Sequence, residues 1–180
     1  MSEGVVAVAA GRAAGKGNQG LMAVSNLQGS AALNQFVIFR VGSEEYGVPI
    51  DRVQEIRSWQ PVTRLPNAPP KVLGIVNLRG VVIPVFDMRS CFGLEPTAPG
   101  KSNVVIITAV HEDTIGMLVD TVSDIVDVDA AQIQPAPSLS EAAIEESISG
   151  IVTVDDRMLI LLDIEQLFPA GQVQGLPAAA

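Results

Sequence analysis

The sequence is poor in cysteine, histidine and aromatic residues. Its 180 residues include one cysteine, one histidine and only 4% aromatic residues. Cys91 alone makes no internal disulfide and no thiol cluster for zinc, which agrees with a reducing compartment. His111 has no partner residues in a metal-binding or general-base pattern, so we expect it to be a solvated turn residue. These shortages argue against a disulfide scaffold and a zinc site.

Long hydrophobic runs are also missing. Apolar residues make up 48% of the chain, but no run reaches the roughly 18 residues that are needed to span a bilayer. The least charged stretch, residues 17–39, is interrupted repeatedly by Asn and Gln side chains that would have to be desolvated in lipid. Glu3 stands where a signal peptide carries positive charge. We therefore expect a cytoplasmic protein without direct membrane insertion.

Positive charge is scarce and unevenly distributed. The chain has 11 Lys and Arg against 20 Asp and Glu, for a net charge of −9. Residues 1–101 hold 10 basic and 7 acidic residues, a net of +3, whereas residues 102–180 hold 1 and 13, a net of −12. A negative field repels phosphate backbones, so we expect no nucleic acid partner. The asymmetry either orients the molecule between protein partners or in a head-to-tail array, or serves only solubility.

β-Branched residues dominate the centre of the chain. Val and Ile together number 39 of 180 residues, and such side chains fit a pleated strand better than a helix. Residues 1–34 and 169–180 are instead rich in small and polar residues without a hydrophobic period, so both are predicted to be flexible tails. We predict an all-β fold for residues 35–168.

An internal repeat divides this central part into two halves. Residues 47–56 and 116–125 share Gly, Asp, Val, an acid and Ile at an offset of 69, and residues 74–88 and 150–164 share Gly-Ile-Val and a later Asp at an offset of 76. The difference between the offsets is a loop insertion. Two similar halves, about 35–101 and 102–168, with short strands between turn residues predict two small barrels or sandwiches.

Turn signals locate the hairpins within each half. Tight turns are predicted at residues 42–45 and 111–113, at Gly80 after Asn77-Leu78-Arg79, and at 155–157. A short helix is predicted at 141–149, and the Pro-rich residues 58–72 are predicted to form a loop. Gly47, Gly74 and Gly116 are interpreted as structural glycines at turns or bulges, where a side chain would clash.

No catalytic, metal or cofactor pattern emerges from the residues. Residues 11–17 approach a phosphate-binding loop but have three residues between the first two glycines instead of four, and Gly17 in place of the Ser or Thr that follows the lysine. A nucleotide switch that uses Lys16 is therefore only a competing hypothesis. Asp127 and Asp129 lack calcium-loop spacing. Trp59 is either a packed lid or an exposed anchor at a protein interface.

Several segments between about Phe36 and Phe168 form a recognisable set. They include Glu44-Glu45-Tyr46-Gly47, Val53-Gln54-Glu55-Ile56-Arg57, Gly74-Ile75-Val76-Asn77-Leu78-Arg79-Gly80, Val122-Ser123-Asp124 and Asp156-Arg157-Met158-Leu159-Ile160. Together they resemble the CheW family of bacterial chemotaxis coupling proteins. The order and spacing of Val-Gln-Glu-Ile and Asn-Leu-Arg-Gly make the resemblance specific.

The resemblance implies a non-enzymatic adaptor of two similar SH3-like five-stranded β-barrel subdomains with short helices. Such proteins join the cytoplasmic tips of methyl-accepting chemotaxis receptors to the regulatory domain of the histidine kinase CheA, within membrane-associated receptor arrays. The alternative is a paralogous coupling protein for pilus motility, development or second-messenger control. A chain of this length is expected to leave no room for the receiver domain of CheV or for a kinase.

The resemblance also implies which residues contact partners. The positions that match Glu55 and Arg79 are implicated in receptor and kinase coupling. The neighbouring candidates are Val53, Ile56, Arg57, Asn77 and Gly80, and Arg64 is a weaker one. The competing interpretation is that Glu55 and Arg79 merely pair with each other at the barrel surface.

Overall fold

The computed structural model describes residues 22–23, 34–137 and 145–171. The predicted flexible tails and the nucleotide-loop hypothesis at Lys16 therefore lie largely or wholly outside the described residues. Residues 141–144 of the predicted helix also lie outside them, while Glu145–Ser147 form a single 3₁₀ turn that leads directly into a strand.

Short strands account for most of the described chain. The strands are β1 (Met22–Ala23), β2 (Asn34–Val41), β3 (Glu44–Pro49), β4 (Val53–Ser58), β5 (Val72–Leu78), β6 (Val81–Asp87), β7 (Val104–Val110), β8 (Asp113–Val119), β9 (Thr121–Val128), β10 (Ile148–Val154) and β11 (Arg157–Leu162). Two one-turn helices, α1 (Met88–Cys91) and α2 (Ile164–Leu167), follow β6 and β11. Asp87 and Asp163 cap these helices by accepting hydrogen bonds from the backbone amides of Arg89 and Glu165, each at 3.0 Å.

The strands form two sheets of the same topology. Sheet A has the order β1-β4-β7-β8-β6-β5, and sheet B has the order β10-β11-β3-β2-β9. Each contains one parallel pair, β6 with β8 and β3 with β11, and its other strand pairs are antiparallel. The prediction of an all-β fold with two similar five-stranded units and short helices is confirmed, with β1 as an additional strand on sheet A.

The two sheets do not coincide with the two sequence halves. The β7–β8 hairpin of the second half lies between β4 and β6 of the first, and the β2–β3 hairpin of the first half lies between β9 and β11 of the second. A repeat reveals which strands are equivalent but not which hairpin each strand pairs with. The boundary near residue 101 is therefore a boundary of the repeat and not of a sheet.

This exchange of hairpins produces one shared core and two smaller ones. The largest buried cluster takes Phe39 and Leu162 from sheet B and Ile106 and Met117 from sheet A, and Phe168 after α2 completes it. A second cluster lies within sheet B and a third within sheet A. Strands β6 and β11 contribute side chains to two clusters each, which explains why both are apolar on both faces.

Two of the three predicted turn glycines lie in the middle of strands instead. A Cβ on Gly47 in β3 would lie 2.9 Å from side-chain atoms of both Ile38 and Leu161, and a Cβ on Gly116 in β8 would lie 2.9 Å from Val105. These glycines therefore allow neighbouring side chains to pack over the strand. Gly74 does lie at a bulge, where a Cβ would overlap the Thr63 carbonyl.

An ion pair connects each short helix to the opposite half of the repeat. From α1, Arg89 donates two hydrogen bonds to Asp120, at 3.0 and 2.7 Å, and the Gly42 amide donates a third to the same carboxylate at 2.8 Å. From α2, Glu165 pairs with Arg52 at 2.7 Å. We call these contacts the Asp120 latch and the Arg52 latch.

Candidate functional site

Glu55 and Arg79 meet although β4, which carries Glu55, and β5, which Arg79 follows, are at opposite ends of the five-stranded part of sheet A. Glu55 is on β4, and Arg79 lies in the turn between β5 and β6. Arg79 Nη2 is 2.9 Å from Glu55 Oε2. Because hydrogen bonding alone leaves β4 and β5 far apart in the strand order, this contact requires the sheet to curve back on itself. The pair therefore closes the sheet in the manner of a small barrel.

The backbone of the β5–β6 turn determines where Arg79 projects. Leu78 and Val81 are the last paired residues, so the turn contains only Arg79 and Gly80. Both have positive φ, +53° and +85°, as in the two-residue turns that match the twist of a hairpin. The Gly80 amide donates a hydrogen bond of 2.9 Å to Asn77 Oδ1. Asn77 and Gly80 thus hold the turn that presents the Arg79 side chain.

Glu55 is a buried carboxylate beneath two guanidinium groups. Its side chain is 6% exposed, whereas that of Arg79 is 65% exposed. Arg57 on the same strand places Nε 3.4 Å from Glu55 Oε1. This approach neutralises charge, but it is not a hydrogen bond, and Oε1 has no hydrogen-bond partner among the described residues. A buried charge is tolerated only when it is paired, so Glu55 anchors both arginines from below.

The remaining predicted site residues divide by burial. Asn77 and Gly80 are exposed and Arg57 is half-buried. Val53 and Ile56 belong instead to the shared core. Their side chains hold β4 in place and leave only the neighbouring polar residues to meet a partner. Arg64 is exposed on the loop before β5, and no hydrogen bond or ion pair connects it to Glu55.

Sequence reasoning missed two apolar residues beside this turn. Val81 and Val82 at the start of β6 are the exposed neighbours of Arg79 and Gly80. We call residues 77–82 the basic tip, since it combines a guanidinium group with two exposed valines. An exposed apolar pair next to arginine is typical of a protein-interaction surface. The signal that was available is the Val-Val pair directly after a predicted tight turn.

The other single residues are structural. His111 lies in the β7–β8 turn with a φ of +54°, and its Nε2 is 3.2 Å from the Phe168 carbonyl oxygen. Trp59 packs against the sheet A cluster, which favours the packed lid over the exposed anchor. Burial raises the pKa of the Cys91 thiol to about 12, so the thiol is protonated near neutral pH.

Neither a metal cluster nor a membrane-spanning helix is found in the part of the chain that the structure describes. No three His, Cys, Asp or Glu side chains of those residues come together as ligands. No helix there is long and apolar enough to cross a bilayer.

Comparison with known proteins places all of these residues in one family domain. Residues 35–172 match the model of the CheW-like domain. The chain is 40% identical over 154 residues to the chemotaxis protein CheW of Klebsiella aerogenes, covering 86% of this chain and 93% of that protein. It is 40% identical over 134 residues to the probable chemotaxis protein CheW of Rhizobium etli, covering 74% and 86%.

The fold is also found in a solved structure. The crystal structure of the scaffolding protein TtCheW from Thermoanaerobacter tengcongensis superimposes with a TM-score of 0.71 at 29% identity, covering 81% of this chain and 94% of that one. The likeness in fold therefore extends over most of both chains.

Proposed function

The chain belongs to the CheW-like domain family, and on that premise we propose that it is a chemotaxis adaptor that couples receptors to a histidine kinase. The observation that carries the proposal is the family match over residues 35–172, which includes the whole basic tip and Glu55. The resemblance predicted from the sequence segments is confirmed by this match. The relatives named above are chemotaxis proteins, and one of them is described as a scaffolding protein.

The partners that we propose are the cytoplasmic tip of a methyl-accepting chemotaxis receptor and the regulatory domain of the kinase CheA. The chain would then act in the cytoplasm, at membrane-associated receptor arrays, by binding and without a chemical step or a cofactor. Support comes from the composition of the basic tip, where an exposed guanidinium group adjoins exposed valines. Arginine and apolar side chains in this combination dominate the energies of many protein interfaces.

Glu55 fixes the direction of Arg79 in this proposal. A long arginine side chain loses conformational entropy when a partner immobilises it. The 2.9 Å contact with the buried carboxylate restricts the guanidinium group before a partner arrives. The adaptor would transmit receptor state by binding one state of the kinase more tightly than another.

A second tip gives the molecule a different surface for a second partner. The β10–β11 turn contains Asp155 and Asp156, followed by the exposed Met158. We call residues 153–158 the acidic tip, and it occupies the position in sheet B that the basic tip occupies in sheet A. Two tips of opposite charge would favour a fixed orientation between two unlike partners.

The test is a calorimetric titration of the full chain with a CheA regulatory domain and, separately, with a receptor cytoplasmic fragment from the same cell. Arg79→Ala is expected to lose about 2 kcal/mol, or roughly thirtyfold in affinity, toward one of the two. Asp155→Ala is the matched control, because Asp155 occupies the same position of the equivalent turn with a similar positive φ of 49°.

Two outcomes would contradict the proposal. Binding of neither fragment by the wild-type chain would remove the coupling function and leave the fold. Equal losses of affinity in Arg79→Ala and Asp155→Ala toward the same fragment would show that the basic tip has no specific role in that contact.

A further inference from the structure

The chain adds a strand of its own to the edge that carries Glu55. Residues Met22 and Ala23 form β1, which pairs antiparallel with β4. In this register Met22 lies opposite Ile56 and Ala23 lies opposite Glu55. The segment comes from the N-terminal residues that precede the family domain, which begins at residue 35. An element outside the family domain thus lies directly beside the candidate site.

Without β1, strand β4 would be the edge of sheet A. Its inner side pairs with β7 from Val53 to Ser58, so the backbone groups on its outer side are the ones that β1 meets. An uncovered edge of this kind presents unpaired N–H and C=O groups and accepts extended segments from other chains. The β4 edge is therefore a strand-accepting surface that the chain fills by itself.

The equivalent edge of sheet B receives no such strand. Strand β9 corresponds to β4 in the repeat, pairs with β2 on one side, and has no strand on its other side within residues 34–137 and 145–171. Asp124 stands on β9 where Glu55 stands on β4, and its side chain is 44% exposed. Exposed charge protects an edge against strand addition, and on β4 the corresponding carboxylate is buried. Among the described residues, a strand thus pairs with the edge whose carboxylate is buried, and none pairs with the edge whose carboxylate is 44% exposed.

From this placement we propose that strand β1, Met22–Ala23, is an internal competitor, which occupies the β4 edge in cis and must leave before a partner engages that edge beside Glu55. The inference rests on the proposed adaptor function. Two paired residues form a weak contact compared with a full strand, so the segment exchanges between a paired and a released form. Partner affinity is then reduced by the fraction of molecules in the paired form.

The first experiment tests the pairing without any partner. Amide hydrogen exchange of residues 54–57 is measured in the full-length wild-type chain and in the double variant Met22→Pro/Ala23→Pro, because proline lacks the N–H donor and disfavours ladder pairing. Ala14→Pro, in the same N-terminal region, is the control. We expect faster exchange at residues 54–57 in the double variant alone, with residues 123–126 of β9 unchanged in all three proteins. Equal exchange at residues 54–57 in all three would overturn the proposal.

The second experiment measures binding of the same three proteins to the CheA regulatory domain and to the receptor fragment. The double variant is expected to bind one of them about three- to tenfold more tightly than wild type, as follows when the segment occupies the edge in most molecules. If the double variant loses amide protection at residues 54–57 but binds both fragments no more tightly than wild type, the proposal that β1 competes with a partner is overturned. Binding of neither fragment by any of the three would refute the adaptor function and its competitor together, while the exchange result would still decide the pairing.

Discussion

The basic and acidic tips share one backbone and carry opposite charge. Arg79 and Gly80 in one turn, and Asp155 and Asp156 in the other, all have positive φ, and both turns contain two unpaired residues. The exposed Val82 and Met158 follow at equivalent positions. The hairpin geometry therefore requires the turn conformation in both halves, while the side chains on it are free to differ. The tips differ in the charge of their exposed side chains, which is the feature that a partner would contact.

The carboxylates beneath the tips differ as well. Glu55 is buried and in contact with Arg79 of its own tip. Asp124, at the same place in the repeat, has a side chain that is 44% exposed and lies 3.8 Å from the Arg157 guanidinium group. Arg157 makes a shorter contact, of 3.1 Å, with Glu45. A buried carboxylate holds its partner strongly, because water competes less for it. Glu55 thus holds Arg79 of the basic tip, whereas in the acidic tip Arg157 is held by Glu45 and not by the equivalent carboxylate of Asp124.

The largest expected effect comes from removing the two carboxylates separately. Glu55→Ala is expected to lower the free energy of unfolding by about 2 to 3 kcal/mol, less than for a fully buried pair because Arg79 is exposed. Asp124→Ala should change it by less than about 0.5 kcal/mol. Urea denaturation of both variants measures the difference. Similar losses in the two would show that burial of Glu55 has no energetic importance.

The Asp120 latch and the Arg52 latch form the second comparison. In the first the short helix supplies the arginine, and in the second it supplies the acid. Asp120 accepts three hydrogen bonds and its side chain is 20% exposed, whereas the side chains of Arg52 and Glu165 are about two-fifths exposed. We expect Asp120→Asn to cost about 2 kcal/mol, as for hydrogen bonds to charged groups. Glu165→Gln should cost at most about 0.5 kcal/mol. Thermal unfolding of the two variants tests this, and an equal shift in Tm would contradict it.

The Asp120 latch also predicts a pH dependence. Burial raises the pKa of Asp120, but the hydrogen bonds from Arg89 and from the Gly42 amide, together with the charge of Arg89, outweigh burial and leave the pKa below its ordinary value. A lowered pKa in the folded state gives stability that is present above the unfolded pKa and is lost as the pH falls through the folded pKa.

The corresponding measurement is the free energy of unfolding of wild type and Asp120→Asn as a function of pH. The difference between the two should be constant near neutrality and should narrow below about pH 4, the ordinary range for Asp. A difference that stays constant down to pH 2 would show that the Asp120 carboxylate does not titrate with folding.

The strands, the turns and the repeat were predictable from the sequence because each depends on local signals. Runs rich in Val and Ile indicate strands, and the turn residues at 79–80 and 155–156 end these strands. Both signals are local and do not depend on which strands pair with each other. The pairing of Glu55 with Arg79 was also anticipated, as the competing interpretation of the site. The pair leaves the Arg79 side chain 65% exposed, so it is compatible with the recognition role that we propose.

The exchange of hairpins, the mid-strand glycines and strand β1 were not predictable in the same way. Gly47 meets Leu161 across sheet B, a contact between residues far apart in sequence, so no local pattern distinguishes it from a turn glycine. Polar and apolar residues are mixed along β4, as on a half-exposed strand, but Val53 is buried in the core that the two sheets share. Met22 and Ala23 pair with β4 in a region whose composition indicates only a tail.

The smallest expected effect separates stability from recognition at the two tips. Arg79 and Asp155 both occupy left-handed backbone, which is strained for residues with a Cβ and free of strain for glycine. Asp155→Gly should therefore raise the free energy of unfolding by about 0.5 to 1 kcal/mol. Arg79→Gly gains the same relief but loses its pair with Glu55, and the buried carboxylate is then neutralised by Arg57 alone. This loss is about 1 kcal/mol, so the net change should be close to zero.

Binding distinguishes the same two variants in the opposite direction. Arg79→Gly should lose partner affinity although its stability is unchanged, whereas Asp155→Gly should be the more stable protein and keep its affinity for the partner that reads the basic tip. Chemical denaturation and titration calorimetry on one preparation of each variant give both quantities. A loss of affinity that accompanies a loss of stability in Arg79→Gly would mean that Arg79 serves the fold first. Unchanged stability with lost affinity would mean that the buried Glu55 holds Arg79 for a partner.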